Sequence, residues 1–160
     1  MNNEYSQIVL EGSDLIGKST ISKYLGKVFG NVRDRDMNIT DNVLIGSELR
    51  PSHINKICDY IQERPNELFV FLTVPLDHAE NVLGTRLAAR KAAGKSDEFD
   101  EHTVAYNKSY KEIVTELKFR CIKNVLEVNV DEFRNPYAVV GHIGKTVLYH
   151  IIDKIEFNLE

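Results

Sequence analysis

Apolar residues recur along the chain in two spacings, short unbroken runs and helical stripes, and they alternate almost from one end to the other. Ile8-Val9-Leu10 is a brief apolar run entering a glycine-rich loop, and Ile21, Tyr24, Leu25 and Val28 follow at helical spacing. This predicts strand, loop, helix, with Gly30 as the stop. Val32 opens a short second strand that ends in the charged cluster Arg33-Asp34-Arg35-Asp36, and the polar stretch after it reads as irregular. Pro51 suits the first turn of a helix running to about Arg64, with Ile54, Ile57, Cys58 and Ile61 on one face and Pro65 ending it. Leu68-Phe69-Val70-Phe71-Leu72-Thr73-Val74 is continuously apolar and β-prone, the pattern of a central strand covered on both faces.

Downstream, a helix is expected from about Asp77 to Ala93, then a polar segment from Gly94 to near Glu101. A long helix striped by Tyr106, Tyr110, Ile113 and Leu117 comes next, then a strand over Val125 to Val130, then a last helix led by Pro136. Alternating strands and helices predict a single α/β domain over 1–160, three layers deep, with a mainly parallel sheet of about four to five strands. The 160 residues, 42% hydrophobic and 28% charged, suit one core and no second domain.

A net charge of -4 gives no global positive field for a polyanion, which disfavours broad nucleic-acid coating but leaves room for a local basic groove. Cys58 and Cys121 belong to no metal-ligand spacing and read as reduced core thiols. The five histidines, His53, His78, His102, His142 and His150, gather no ligand set and read as structural or surface residues. No window has the length and apolarity of a membrane span, and no basic segment precedes an apolar run at the amino terminus, so a soluble cytoplasmic protein without membrane partners is expected.

Gly12-Ser13-Asp14-Leu15-Ile16-Gly17-Lys18-Ser19 satisfies G-x-x-x-x-G-K-[ST] between a predicted strand and a predicted helix, where backbone N–H groups and a helix end converge on phosphates. The glycines permit close approach, Lys18 reaches β and γ oxygens, the Ser19 hydroxyl can ligand Mg²⁺, and Thr20 is placed for the α-phosphate. The bland alternative is a glycine-rich turn that only caps a helix. A guanine reader is unsupported, since Asn107-Lys108-Ser109-Tyr110 lacks the acid of N-K-x-D. A motor-type ATPase is also unsupported, since the strand ending at Val74 runs into Pro75 rather than an acid.

The acid lies instead at Asp34, and Asp34-Arg35 at the end of a neighbouring strand can contact metal and acceptor; the alternative is a solvent-facing pair in a charged turn. Residues 86–101 carry Arg86, Arg90, Lys91 and Lys95, then Asp97, Glu98, Asp100 and Glu101, around Gly94. This reads as a mobile lid whose closure brings Arg86 or Arg90, four apart on one helix face, onto a transferring phosphoryl group; the alternative is an exposed helix end. Glu11 is placed either to orient an acceptor or a metal-bound water, or merely to face solvent. Tyr106 and Tyr110 fit core packing better than base stacking. On the last helix Leu148 and Ile152 serve either a homodimer or a wider internal contact.

Taken together, Glu11 to Thr20, Asp34-Arg35, Leu72-Thr73-Val74-Pro75 and the Arg86 to Asp100 region resemble the thymidylate kinase family of P-loop nucleotide kinases, over roughly residues 6–130. The resemblance implies ATP- and Mg²⁺-dependent phosphorylation of a deoxynucleoside monophosphate. Lys18 and Ser19 would carry donor and metal roles, Asp14 would contact the acceptor sugar, Arg35 would hold its phosphate, and Asp34 would assist the metal and water. Ile16 stands where some members carry an arginine, which assigns the transition-state cation to Arg86 or Arg90, the lid-arginine type. The acceptor side is shortened, with no Arg-Glu-Pro-Gly-like strand, and Asp36 replaces the usual aromatic or His, adding negative charge near the acceptor phosphate. That layout keeps two alternatives in play: a kinase acting on DNA ends or modified bases in DNA, and a nucleotide-binding protein that has lost transfer.

Overall fold

The computed structural model describes residues 5–44 and 49–159, without side-chain detail for Leu44 and for 148–159. Four strands, β1 (Gln7–Glu11), β2 (Val32–Asp34), β3 (Glu67–Thr73) and β4 (Val125–Asn129), form one parallel sheet in the order β2-β1-β3-β4. Among the described residues seven α-helices flank it: α1 (Lys18–Phe29), α2 (Met37–Leu44), α3 (Pro51–Gln62), α4 (Thr85–Ala92), α5 (Glu98–Glu101), α6 (Thr103–Phe119) and α7 (Pro136–Leu159). This is a three-layer P-loop NTPase-like architecture.

The period of two along the strands divides the core. Ile8, Leu10, Leu68, Val70 and Leu72 pack with Ile21 and Leu25 of α1 and with Val139, Ile143 and Val147 of α7. Val9, Phe69 and Phe71 pack on the other face with α2, α3 and α6, through Ile39, Ile57, Ile61, Tyr110 and Ile113 among others. Because β1 and β3 are buried on both faces, their sequences are apolar without alternation. The chain leaves β1 by α1 on one face to reach β2, then returns by α2 and α3 on the other face to β3. The sense of the connections therefore reverses between β1 and β3, where parallel sheets open a ligand crevice at the strand ends.

Four expectations are corrected. The stretch after Arg35 is helical in α2, because the Asp36 carboxylate accepts the Asn38 N–H at 3.0 Å and its carbonyl accepts from Ile39 and Thr40, which caps a helix that buries Ile39 and Val43. Residues 45–48 of that stretch lie outside the described residues. Val28 is 67% exposed, and Phe29 packs on the core in its place. Cys58 is buried as expected, but Cys121 is exposed, just past the end of α6. The helix expected from about Asp77 begins with a π-helical turn at Glu80–Gly84 before α4. Side chains 148–159, with His150, Leu148 and Ile152, also lie outside the description.

Among the described residues no helix is long and apolar enough to cross a membrane.

Candidate active site

The glycine-rich loop leaves β1 and enters α1 at Lys18, and its shape follows from two glycines. A Cβ on Gly12 would meet the Leu72 carbonyl oxygen of β3 at 2.8 Å, so only a glycine lets the loop pass the neighbouring strand. Gly17 takes φ 93° at the start of the helix. Leu15 and Arg35 hold left-handed backbone without being glycines, at φ 69° and 75°. Each is pinned: the Leu15 carbonyl accepts from Arg86 Nη1 at 2.6 Å, and the Arg35 N–H donates to the Leu10 carbonyl at 2.9 Å.

Asp34 and Arg35 both pair with loop residues, Asp34 while remaining exposed and Arg35 while half-buried. Lys18 Nζ lies 2.7 Å from Asp34 Oδ1, and Ser19 Oγ lies 3.5 Å from Asp34 Oδ2. Arg35 Nη2 donates to Asp14 Oδ1 at 2.5 Å. A hydroxyl and a carboxylate oxygen in that arrangement suit Mg²⁺, a hard cation that takes few protein oxygens and keeps waters and substrate phosphates as its other ligands. A second acidic group, Asp14, Asp97 and Asp100, brings carboxylate oxygens within 4.8 Å of one another. There Asp100 is engaged by Arg90 Nε at 3.2 Å and by the Asp97 N–H at 3.1 Å, while Asp97 caps α5 by accepting the Asp100 N–H.

Among the described residues, three cavities border the loop. One of about 330 Å³ is lined by Ser13 to Leu15 and Gly17 to Thr20 together with Arg90, Asp97 and Asp100. A second, of about 200 Å³, lies beyond Ser13 and Asp14, against Arg35, Met37, Thr40, Phe99, Tyr106 and Tyr110. The third, of about 220 Å³, sits on the far side of Ile16 and Gly17, with Ile21, Arg86, Phe133 and Pro136 among its walls. The two arginines expected on a lid thus separate: Arg90 lines the cavity of the glycine-rich loop, whereas Arg86 braces the loop backbone. Gly94 is a helix stop, since its N–H bonds to Lys91 O and the next N–H bonds back to Arg90 O, with φ 68° at the glycine.

Two sequence readings change here. Glu11 faces neither solvent nor a ligand cavity: it is fully buried and accepts from the Asp36 N–H at 2.7 Å, from Thr40 Oγ1 at 3.1 Å and from the Tyr110 hydroxyl at 2.7 Å. Burial pushes its carboxyl up to about 7, against the opposing pull of those donors and of the Arg35 charge. Asp36 adds no free negative charge to the acceptor side, because its buried carboxylate is taken by Arg33 Nη2 at 2.8 Å and the Tyr60 hydroxyl at 2.6 Å. Tyr110 belongs to the core, as its stripe predicts, and burial with the neighbouring Glu11 raises its hydroxyl well above the ordinary range. Tyr106 is half-buried and lines the second cavity. Met37, Thr40 and Phe99 were not singled out by the sequence; an aromatic at position 99 inside an otherwise polar segment was the available signal.

No family model matches the chain, and no curated protein matches it. Among solved structures, the YorR protein of Bacillus subtilis in complex with phosphorylated GDP matches over 96% of this chain and 98% of that one, with a TM-score of 0.59 and 16% identity. The likeness is one of fold.

Proposed function

We propose that the protein is a nucleotide kinase that moves the γ-phosphoryl group of ATP to a deoxynucleoside monophosphate. What carries this reading is that two cavities of different character meet at Ser13 and Asp14, one lined by the phosphate loop and one largely apolar with Arg35 at its edge. A phosphate-binding cavity alone would serve hydrolysis or simple binding; a second pocket joined to it at the loop is what transfer between two substrates requires. The fold shared with a protein solved around phosphorylated GDP is in keeping with it.

In this mechanism the phosphate-loop backbone holds the donor phosphates, and Lys18 leaves its pairing with Asp34 to neutralise β and γ oxygens. Mg²⁺, bound by Ser19 and Asp34, would offset charge on the donor phosphates. Arg35 holds the acceptor phosphate so that one of its oxygens forms the new bond to the γ-phosphorus as the bond to the β-γ bridging oxygen breaks and ADP leaves. Asp14, released from Arg35, is free to accept from a sugar hydroxyl. Arg90 exchanges Asp100 for the transferring group, whose charge is spread over its equatorial oxygens, and the lid excludes water. The apolar third cavity under Arg86 suits the donor base.

The acceptor pocket is walled by the loop, α2, α5 and α6, an enclosure that fits a free nucleotide better than a strand. The test is ADP formation across a panel of deoxynucleoside monophosphates that includes modified pyrimidines. The absence of acceptor-stimulated turnover with every member overturns the proposal, and label transfer to oligonucleotides without transfer to free nucleotides redirects it to DNA.

A further inference from the structure

Glu11 is a fully buried carboxylate one residue before the phosphate loop, and the kinase mechanism leaves it without a task. Its three donors come from three places: the Asp36 N–H after β2, the Thr40 hydroxyl of α2 and the Tyr110 hydroxyl of α6. Thr40 and Tyr110 are also walls of the acceptor pocket, and Arg35 lies at the pocket's edge. The charged and titratable groups around Glu11 are therefore few. Arg35 is the cation whose field reaches it, and Tyr110 shares a hydrogen bond with it. Asp36 turns its carboxylate away to Arg33 and Tyr60, and β3 presents the apolar Phe71 in register with it.

Resting on the kinase reading, we propose that Glu11 is a positioning residue of the acceptor pocket, which takes up a proton as the acceptor's phosphate binds Arg35. A phosphate dianion that takes the place of the singly charged Asp14 carboxylate on Arg35 adds negative charge to that guanidinium, whose field is also the one that reaches the fully buried Glu11, and like charges in low dielectric drive one of them to neutrality. The bound phosphate stays ionised because it has Arg35 and the loop for partners. Glu11 is the group left to accept the proton, which comes from solvent. No bond other than O–H is made. Its position near neutrality, set by burial, makes the exchange accessible under ordinary conditions.

The experiment is calorimetric titration of a deoxynucleoside monophosphate into protein saturated with a non-hydrolysable ATP analogue, at pH 7 and 8, in buffers of different ionisation enthalpy. The native protein should take up roughly half a proton at pH 7, since Glu11 is then about half ionised, and more at pH 8. Glu11→Gln should take up less by that amount. In steady-state kinetics the acceptor KM should rise up to roughly tenfold between pH 6 and 8 in the native protein and lose that rise in Glu11→Gln. Should Glu11→Gln not fold, Tyr110→Phe, which removes a donor to the ionised form, should displace the uptake to higher pH. Equal proton counts in native and Glu11→Gln protein, or no displacement in Tyr110→Phe, overturn the inference and leave the kinase reading standing. Absence of any acceptor binding to the native protein overturns the kinase reading, and this inference with it.

Discussion

Lys18 illustrates how little freedom the site allows its charges, because its ammonium already has a carboxylate partner 2.7 Å away and is almost wholly buried. On the proposed reading a nucleotide displaces Asp34 from it, an exchange favoured because a polyphosphate offers more negative charge than one carboxylate. Lys18→Ala should abolish measurable transfer. The two lid arginines, equivalent by spacing, separate in three dimensions and should separate kinetically. Arg90→Ala should lower kcat by up to about 10³-fold with little change in donor KM, since its partner is the transition state. Arg86→Ala should chiefly raise donor KM, since it removes the brace on the Leu15 carbonyl that holds the loop in left-handed backbone. Steady-state kinetics with each variant decides this, and full turnover in both refutes the lid assignment. The glycines, Lys18 and Ser19 were readable in order because the loop is a local structure. Met37, Thr40 and Phe99 come from separated segments that only folding brings together.

The helix α2 is where reading by pattern failed most clearly. Asn38, Thr40, Asp41 and Asn42 make the segment look like a loop, and only the Asp36 cap and the burial of Ile39 and Val43 make it a helix. Asp36→Ala should cost roughly 2–4 kcal/mol in urea unfolding, through loss of the cap and of partners for Arg33 and Tyr60. Asp36→Asn, which keeps a capping oxygen, should cost less. In α6, Asn107 shows the opposite case, a residue to which the sequence gives no role and whose task emerges from packing. Its side chain accepts the Val74 N–H and donates to the Val74 carbonyl, both at 2.9 Å, tying the helix to the end of β3 where the chain leaves the sheet. The strands and the remaining long helices were legible because each has one or two faces fully buried, which is the condition under which periodicity reports structure.

Across the whole molecule, two carboxylates, the buried Glu11 and the half-buried Glu127, make stability depend on pH in opposite directions. Glu11 is raised from 4.5 to about 7, so between those values the folded chain keeps a proton that the unfolded chain has lost. Its contribution is full below 4.5, declines as pH rises through about 7 and then levels, a change of about 3 kcal/mol. Glu127 resists burial through hydrogen bonds from Lys118, Lys111 and Thr73 and is held below 4.5, so its contribution is present above that value and is lost on acidification. Urea midpoints for the native protein should therefore fall from pH 5 to pH 8, and Glu11→Gln should flatten that fall. The chain alone dictates the alternation of strands and helices and the phosphate loop, because burial on regular elements and a tight turn are written in neighbouring residues. That Glu11 faces inward, that Asp36 is bound by Arg33 and Tyr60 and that Arg90 rather than Arg86 looks onto the loop's cavity depended on how the chain packs in three dimensions, and no local pattern encodes those directions.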